Sequence, residues 1–317
     1  MTKAPLFLLG AFASFLSRAE SLQLPGEKFE PSNIAVHFNA TNALPESVQI
    51  FQVVPQDFSP SVISNVMTMG GFTQKDLEPP SLHPSDKGAM VFATKEHGSH
   101  FAIIRASQGW IKYNDSTAAS GDIRRPLSGV PNESDLPGLA LRYLAGLGIE
   151  RSQVAEKPKL ETVGHRGWVK GHGHTATKEV ISRGIFFPRT IDGIDILGGD
   201  GLSFEFGNDA KIVNFELVWR NFRPYKSCKV ASTNQIVDWI KQGHTVTMEP
   251  ANGLEQCKTL TVTSIKRHYF GQADGEPLNF LFPYAELEAT IDTGPTNQVV
   301  LLYCPLISDS AMPDGNK

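Results

Sequence analysis

Residues 178–220 read KEVISRGIFFPRTIDGIDILGGDGLSFEFGNDAKIVNFELVWR, and how that stretch folds decides the architecture. Turn-forming residues cut it at Asp192-Gly193, at Gly198-Gly199-Asp200-Gly201 and at Gly207-Asn208-Asp209. Between the turns, apolar and polar residues alternate. Leu202, Phe204 and Phe206 share one face; Val213, Phe215, Leu217 and Trp219 share another, with Ser203, Glu205, Asn214 and Glu216 opposite. The pattern predicts an antiparallel meander that is apolar on one side and needs a cover there.

Covers are available on both flanks. Ser59-Pro60 is an N-cap and first-turn pair, followed by Val62, Ile63, Val66 and Met67 and closed by Gly70-Gly71. Ser134-Asp135 precedes Leu136, Ala140, Tyr143, Leu144 and Leu147 at helical spacing. Ser232 and Gln235 have capping-box spacing ahead of Ile236, Val237, Trp239 and Ile240. Strand-like runs lie at 34–38, 48–54, 89–94, 101–105, 110–113, 260–270, 284–291 and 299–304; the last is apolar on both faces and is expected to be central. Residues 150–177, rich in Gly, Lys and His, read as irregular, and the basic run Arg220, Arg223, Lys226 and Lys229 as a solvated connection.

Helix followed by meander thus recurs over about 59–113, 134–220 and 232–305. The expected class is α+β, with antiparallel meander sheets each covered by a short amphipathic helix in two or three successive units. The corresponding segments are a signal peptide at 1–19, an N-terminal unit at 20–133, a central unit at 134–226, a C-terminal unit at 227–307 and a tail at 308–317.

Lys3, the apolar run 5–16 and Ser17-Arg18-Ala19 have the basic, apolar and small-residue parts of an export signal, in a run too short to cross a bilayer. The chain is therefore expected to be secreted or periplasmic. Cleavage after residue 19 leaves 27 basic against 33 acidic residues, a net of −6. That balance argues against nucleic acid and, beyond the signal itself, against anionic membrane surfaces as partners. In an exported chain two of Cys228, Cys257 and Cys304 can pair, and a bridge involving Cys257 is favoured; three reduced core cysteines is the other arrangement. Asn39-Ala40-Thr41, Asn114-Asp115-Ser116 and Asn132-Glu133-Ser134 are glycosylation sequons, which matter in a eukaryotic source.

The run 189–196, then 201–206 and Asn208-Asp209-Ala210-Lys211-Ile212, resembles PepSY-type modules, including those in propeptides of thermolysin-like peptidases. With the helix at 136–147 the resemblance covers residues 134–220. It implies a non-catalytic module that binds, inhibits or helps fold another exported protein. The chain departs from that pattern in having no H-E-x-x-H and in carrying a further helix-and-sheet unit.

Chemistry-bearing constellations are few. His165, His172 and His174, in GHRGWVKGHGH, have the spacing to chelate zinc or copper if the segment is extended, although no cysteine or carboxylate adjoins them. His97 and His100 form a weaker pair in an expected hairpin turn. Glu286 and Glu288 share a strand face, as paired glycosidase acids can, but solvent-facing alternation explains them too. No nucleophile elbow, P-loop or dinucleotide fingerprint occurs, and Cys228 has no neighbour that would lower its pKa. The expected function is a non-enzymatic binding module that holds an exported protein or peptide through its sheets. The alternatives are a metal-dependent enzyme built on the three histidines and a structural envelope component.

Overall fold

The computed structural model describes residues 27–29, 34–42, 44–83, 88–94, 100–115, 118, 129–169, 176–247, 257–271, 278–292 and 297–307. The described residues begin with strands β1 (Glu27–Phe29), β2 (Ala35–Phe38) and β3 (Ser47–Val54), then helix α1 (Pro60–Gly70). Strands β4 (Met90–Ala93), β5 (His100–Arg105) and β6 (Trp110–Asp115) follow, then α2 (Leu136–Leu144). Next come β7 (Lys159–Val169), β8 (Ala176–Pro188), β9 (Thr190–Ile191), β10 (Ile194–Leu197), β11 (Gly201–Phe206) and β12 (Ile212–Val218). The last part holds β13 (Asn221–Lys229), α3 (Thr233–Lys241), β14 (Thr245–Thr247), β15 (Thr259–Phe270), β16 (Phe280–Asp292) and β17 (Asn297–Pro305).

The fold is α+β, with mostly antiparallel sheets and few short helices. Among the described residues the strands form two open sheets. Seven run in the order β4-β5-β6-β12-β11-β8-β7. The ten-stranded sheet has the main path β1-β14-β17-β16-β15-β10-β9, with β3 between β13 and β16 and β2 beside β15. The strands do not group by the segments 20–133, 134–226 and 227–307. Tyr113 of β6 lies opposite Phe215 of β12, which joins the two expected meanders into one sheet. Strands β1 to β3 belong with the C-terminal strands, where β3 pairs with β13 from Ser47↔Lys229 to Val54↔Asn221.

Local sequence explains the elements. The Ser59 hydroxyl accepts the Val62 N–H at 3.4 Å, and Gly71 closes α1 at φ 67, a left-handed conformation that glycine adopts without a Cβ penalty. The alternating Leu202, Phe204 and Phe206 are fully buried in one cluster with Phe215, Leu217 and Trp219 of the next stretch, Val62 and Val66 of α1, and Leu136, Ala140 and Leu144 of α2. A register shift at Glu205/Phe206 sets Ile212 opposite Phe206, so Ile212 joins that cluster in place of Val213. A second cluster gathers Ile236 and Ile240 of α3 with Leu260, Leu287, Leu302 and Cys304.

Four expectations change in whole or in part. Residues 159–169 and 176–177, expected to be irregular, lie in the long β7–β8 pair. Of the basic run, Arg223, Lys226 and Lys229 are exposed as expected but lie in the strand β13, whereas Arg220 precedes it and is buried; Pro224, a register shift and Lys226 blunt an edge that would otherwise invite pairing. Strand β17 is interior to its sheet, between β14 and β16, as expected, but Val299 and Leu301 leave one of its apolar faces exposed. The expected bridge involving Cys257 is absent: Cys228, Cys257 and Cys304 are all buried free thiols. Cys228 stands opposite Val48, Cys304 opposite Ala285, and the Cys257 thiol donates to the Thr259 carbonyl oxygen at 3.2 Å.

Candidate functional site

An open trough of about 1050 Å³ lies in the ten-stranded sheet. One wall is the chain after β2, and the other runs from the end of β13 into the start of α3. Backbone bonds fix both. Asn39 N–H donates to the Val262 carbonyl at 2.8 Å, Val230 N–H to Glu46 at 3.2 Å and Ala231 N–H to Leu306 at 2.8 Å. The Asn42 side chain clips the first wall to β15: its Nδ2 donates to the Ile265 carbonyl, and its Oδ1 accepts the Ile265 N–H at 3.4 Å. Cys228, Val230 and Ile265 line the trough with buried apolar surface, and Phe38 and Leu44 are half-buried beside them. The rim is polar, with hydroxyls at Thr41, Ser47, Ser227 and Thr233 and one charge of each sign at Glu46 and Lys229. An apolar floor with a near-neutral polar rim suits an extended chain that buries side chains and hydrogen-bonds along its backbone.

Ionisable groups converge elsewhere, in a closed setting. Asp200, Arg189 and Arg220 are 0%, 7% and 5% exposed, which takes all three out of reach of a solvent-borne reactant. Arg220 Nη1 donates to Asp200 Oδ2 at 2.9 Å, and Arg189 Nη1 donates to the Arg220 carbonyl. The Arg189 guanidinium carbon lies 4.4 Å from the Trp219 ring centre and 4.7 Å from that of Phe222, a cation–π sandwich. Burial pushes the Asp200 carboxyl above the usual range against the pull of Arg220 and Arg189. Burial likewise lowers Arg189 to about 10, still charged at neutral pH. The cluster lies where the chain passes between the sheets: Arg189 separates β8 from β9, Asp200 separates β10 from β11, Arg220 separates β12 from β13, and any Cβ on Gly271, just after β15, would strike Asp200 Oδ2. Its position and closure make it a strut.

A third group crosses β15, β16 and β17. Tyr303 Oη donates to Glu286 Oε2 at 2.9 Å, and His268 Nε2 lies 3.4 Å from the same oxygen. The imidazole is 3% exposed, so it meets the Glu286 carboxylate away from solvent. The His268 ring, and then Tyr303, hold the Glu286 carboxyl below its ordinary value against the effect of burial. Glu288 is exposed, so the two acids flagged on one strand face sit in different surroundings.

Of the candidate metal ligands, His172 and His174 lie outside the described residues. Only the backbone of His165 is described, opposite Val180 in the β7–β8 pair. Among the described residues no group of three or more His, Cys, Asp or Glu side chains is placed to hold a metal ion. His97 is likewise outside; His100 stacks on Phe72 with ring centres 4.5 Å apart, a packing role. Burial raises the Cys228 and Cys257 thiols and pushes Cys304 up to about 12, which suits core residues rather than nucleophiles. The lining of the trough was not legible as a site. Asn42 sits in an ordinary polar stretch, and only its distant partner Ile265 reveals its use.

No family model matches the chain, and no curated protein matches it. Among solved structures it is similar to an uncharacterized protein from Eubacterium rectale ATCC 33656, with a TM-score of 0.45 and 12% identity over 86% of this chain and 87% of that one.

Proposed function

We propose that this chain is an exported, non-catalytic binding protein that holds an extended segment of another exported protein or peptide against its ten-stranded sheet, in the trough beside β2 and β13. The observation that carries the reading is the trough itself: an open, apolar-floored channel of about 1050 Å³ with a nearly neutral hydroxyl rim, held rigid by Asn42 and three backbone bonds. Such a surface offers burial to side chains and partners to a backbone. In this reading each short helix roofs a sheet and keeps the trough preformed, so that little ordering is required on binding. The likeness of residues 134–220 to PepSY-type modules, and the signal-like residues 1–19, support a role among exported proteins.

The test is capture from the native exported fraction with residues 20–317 as bait. Thr41→Trp and Ser227→Trp each fill the trough from an exposed rim position, and Leu82→Ser alters an exposed residue outside its lining. A defined partner retained by wild type and Leu82→Ser but lost from both tryptophan variants supports the reading. Capture that ignores both tryptophans, or turnover of small molecules without any partner, overturns it.

A further inference from the structure

Three sequons were read from the sequence, and the fold treats them unequally. Asn39 follows β2 and is exposed. Along β2 the exposure alternates: Ala35, His37 and Asn39 face outward, whereas Val36, Phe38 and Ala40 pack on the core. The Asn39 backbone is anchored by its N–H to Val262, which leaves the side chain on the side away from the apolar lining of the trough. The hydroxyl residue of its sequon, Thr41, is exposed as well. Asn132 lies in the turn before α2, with its carbonyl accepting the Asp135 N–H at 3.0 Å. Asn132, Glu133 and Ser134 are all exposed, and Asn132 and Ser134 line an open recess of about 660 Å³ that leaves room for a bulky group.

Asn114 is different. It sits inside the seven-stranded sheet, half-buried, with Phe101 of β5 opposite on one side and Asn214 of β12 on the other. The Asn214 side-chain oxygen is itself buried. Asn114 thus lies within a strand paired on both sides and is less exposed than Asn39 or Asn132.

We infer that Asn39 and Asn132 are the acceptors of N-linked glycans in this chain when it is exported through a eukaryotic secretory route, and that Asn114 is not. The inference rests on residues 1–19 acting as an export signal. In the transfer, the Asn amide nitrogen bonds to the anomeric carbon of a lipid-pyrophosphate-linked oligosaccharide. The carbon–oxygen bond to pyrophosphate breaks, the amide gives up one proton, and the lipid pyrophosphate leaves. Transfer precedes folding, so the fold acts by deciding which glycosylated chains reach the native state.

The full chain, and a version in which a well-behaved secretory leader replaces residues 1–19, are expressed in a eukaryotic host and recovered from the medium. Glycan-releasing amidase should shift the secreted chain by two glycans. Asn39→Gln and Asn132→Gln should each remove one, and Asn114→Gln should change nothing. Mass spectrometry of the released peptides should show Asn39 and Asn132 converted to aspartate. A glycan on Asn114 of the secreted chain, or an unmodified Asn39 or Asn132, overturns the inference. If only the replaced leader delivers the chain, the export reading fails while the acceptor assignment is still decided by the same digest.

Discussion

The Arg220 guanidinium lies 2.9 Å from the Asp200 carboxylate, with both side chains closed off from solvent and a second guanidinium, that of Arg189, alongside. A carboxylate that shares its surroundings with two cations cannot be removed without leaving buried positive charge. Asp200→Ala is expected to cost about 3–5 kcal/mol, the range for breaking a buried pair. Arg220→Met in the same chain should recover part of that loss, giving a coupling of about 1–3 kcal/mol in a urea-denaturation cycle. Additive losses would show that the pair is not a strut.

Glu286 has the opposite pH logic to a buried, raised acid. Its folded value is depressed, by His268 first, so ionised Glu286 contributes stability that is complete above the ordinary glutamate value of about 4.3 and is lost as pH falls through the folded one. Wild type should therefore lose more stability than Glu286→Gln across the acid limb of a urea-midpoint titration. Tyr303→Phe, which removes the hydroxyl donor, should cost about 1 kcal/mol at neutral pH, because Glu286 keeps partial solvent contact. Parallel acid limbs for wild type and Glu286→Gln would refute this.

The three thiols should behave as core groups. A disulfide-exchange reagent should label none of Cys228, Cys257 and Cys304 rapidly in the native chain and all three after denaturation, without reductant. Burial and the raised pKa of each give the same sign. Fewer than three reactive thiols in the denatured chain would reveal a bridge.

Gly109 and Gly193 both have positive φ, 63 and 73, yet they should not tolerate alanine equally. A Cβ on Gly109 would lie 2.5 Å from the Trp219 carbonyl oxygen, while one on Gly193 meets nothing. Gly193→Ala should cost about 1 kcal/mol of backbone strain, and Gly109→Ala about 3 kcal/mol or more, read from thermal unfolding. Equal costs would mean that the Gly109–Trp219 approach is relaxed in solution.

Much of this fold could be read from short windows. Ser59, Gly71 and the spacing of Val62 and Val66 specify α1 within a dozen residues, and the alternation in β11 and most of β12 survives in their burial. Pairings distant in sequence were out of reach. Nothing near Trp110 says that its strand neighbours β12, and nothing in residues 47–54 points to Asn221. In β7, glycines, histidines and basic residues mask a strand that has no apolar alternation to display. The trough depends on Asn42 reaching Ile265 and on Val230 reaching Glu46, so no local pattern encodes it. The Arg189–Asp200–Arg220 group left no distinctive trace, because charged residues such as Glu205, Lys211 and Glu216 recur through the same meander and alternation reads them all as solvent-facing.

Val54 and Asn221 are strand partners, so everything between them is made while β3 still lacks its neighbour β13. At synthesis rates of about 5–20 residues per second, that leaves the first strands single for roughly ten seconds or more. During that interval the intervening seven-stranded sheet can already be assembled from its own strands. A nascent chain therefore carries an unpaired, aggregation-prone leading segment behind a finished middle, and it depends on whatever shields that segment until the last strands emerge.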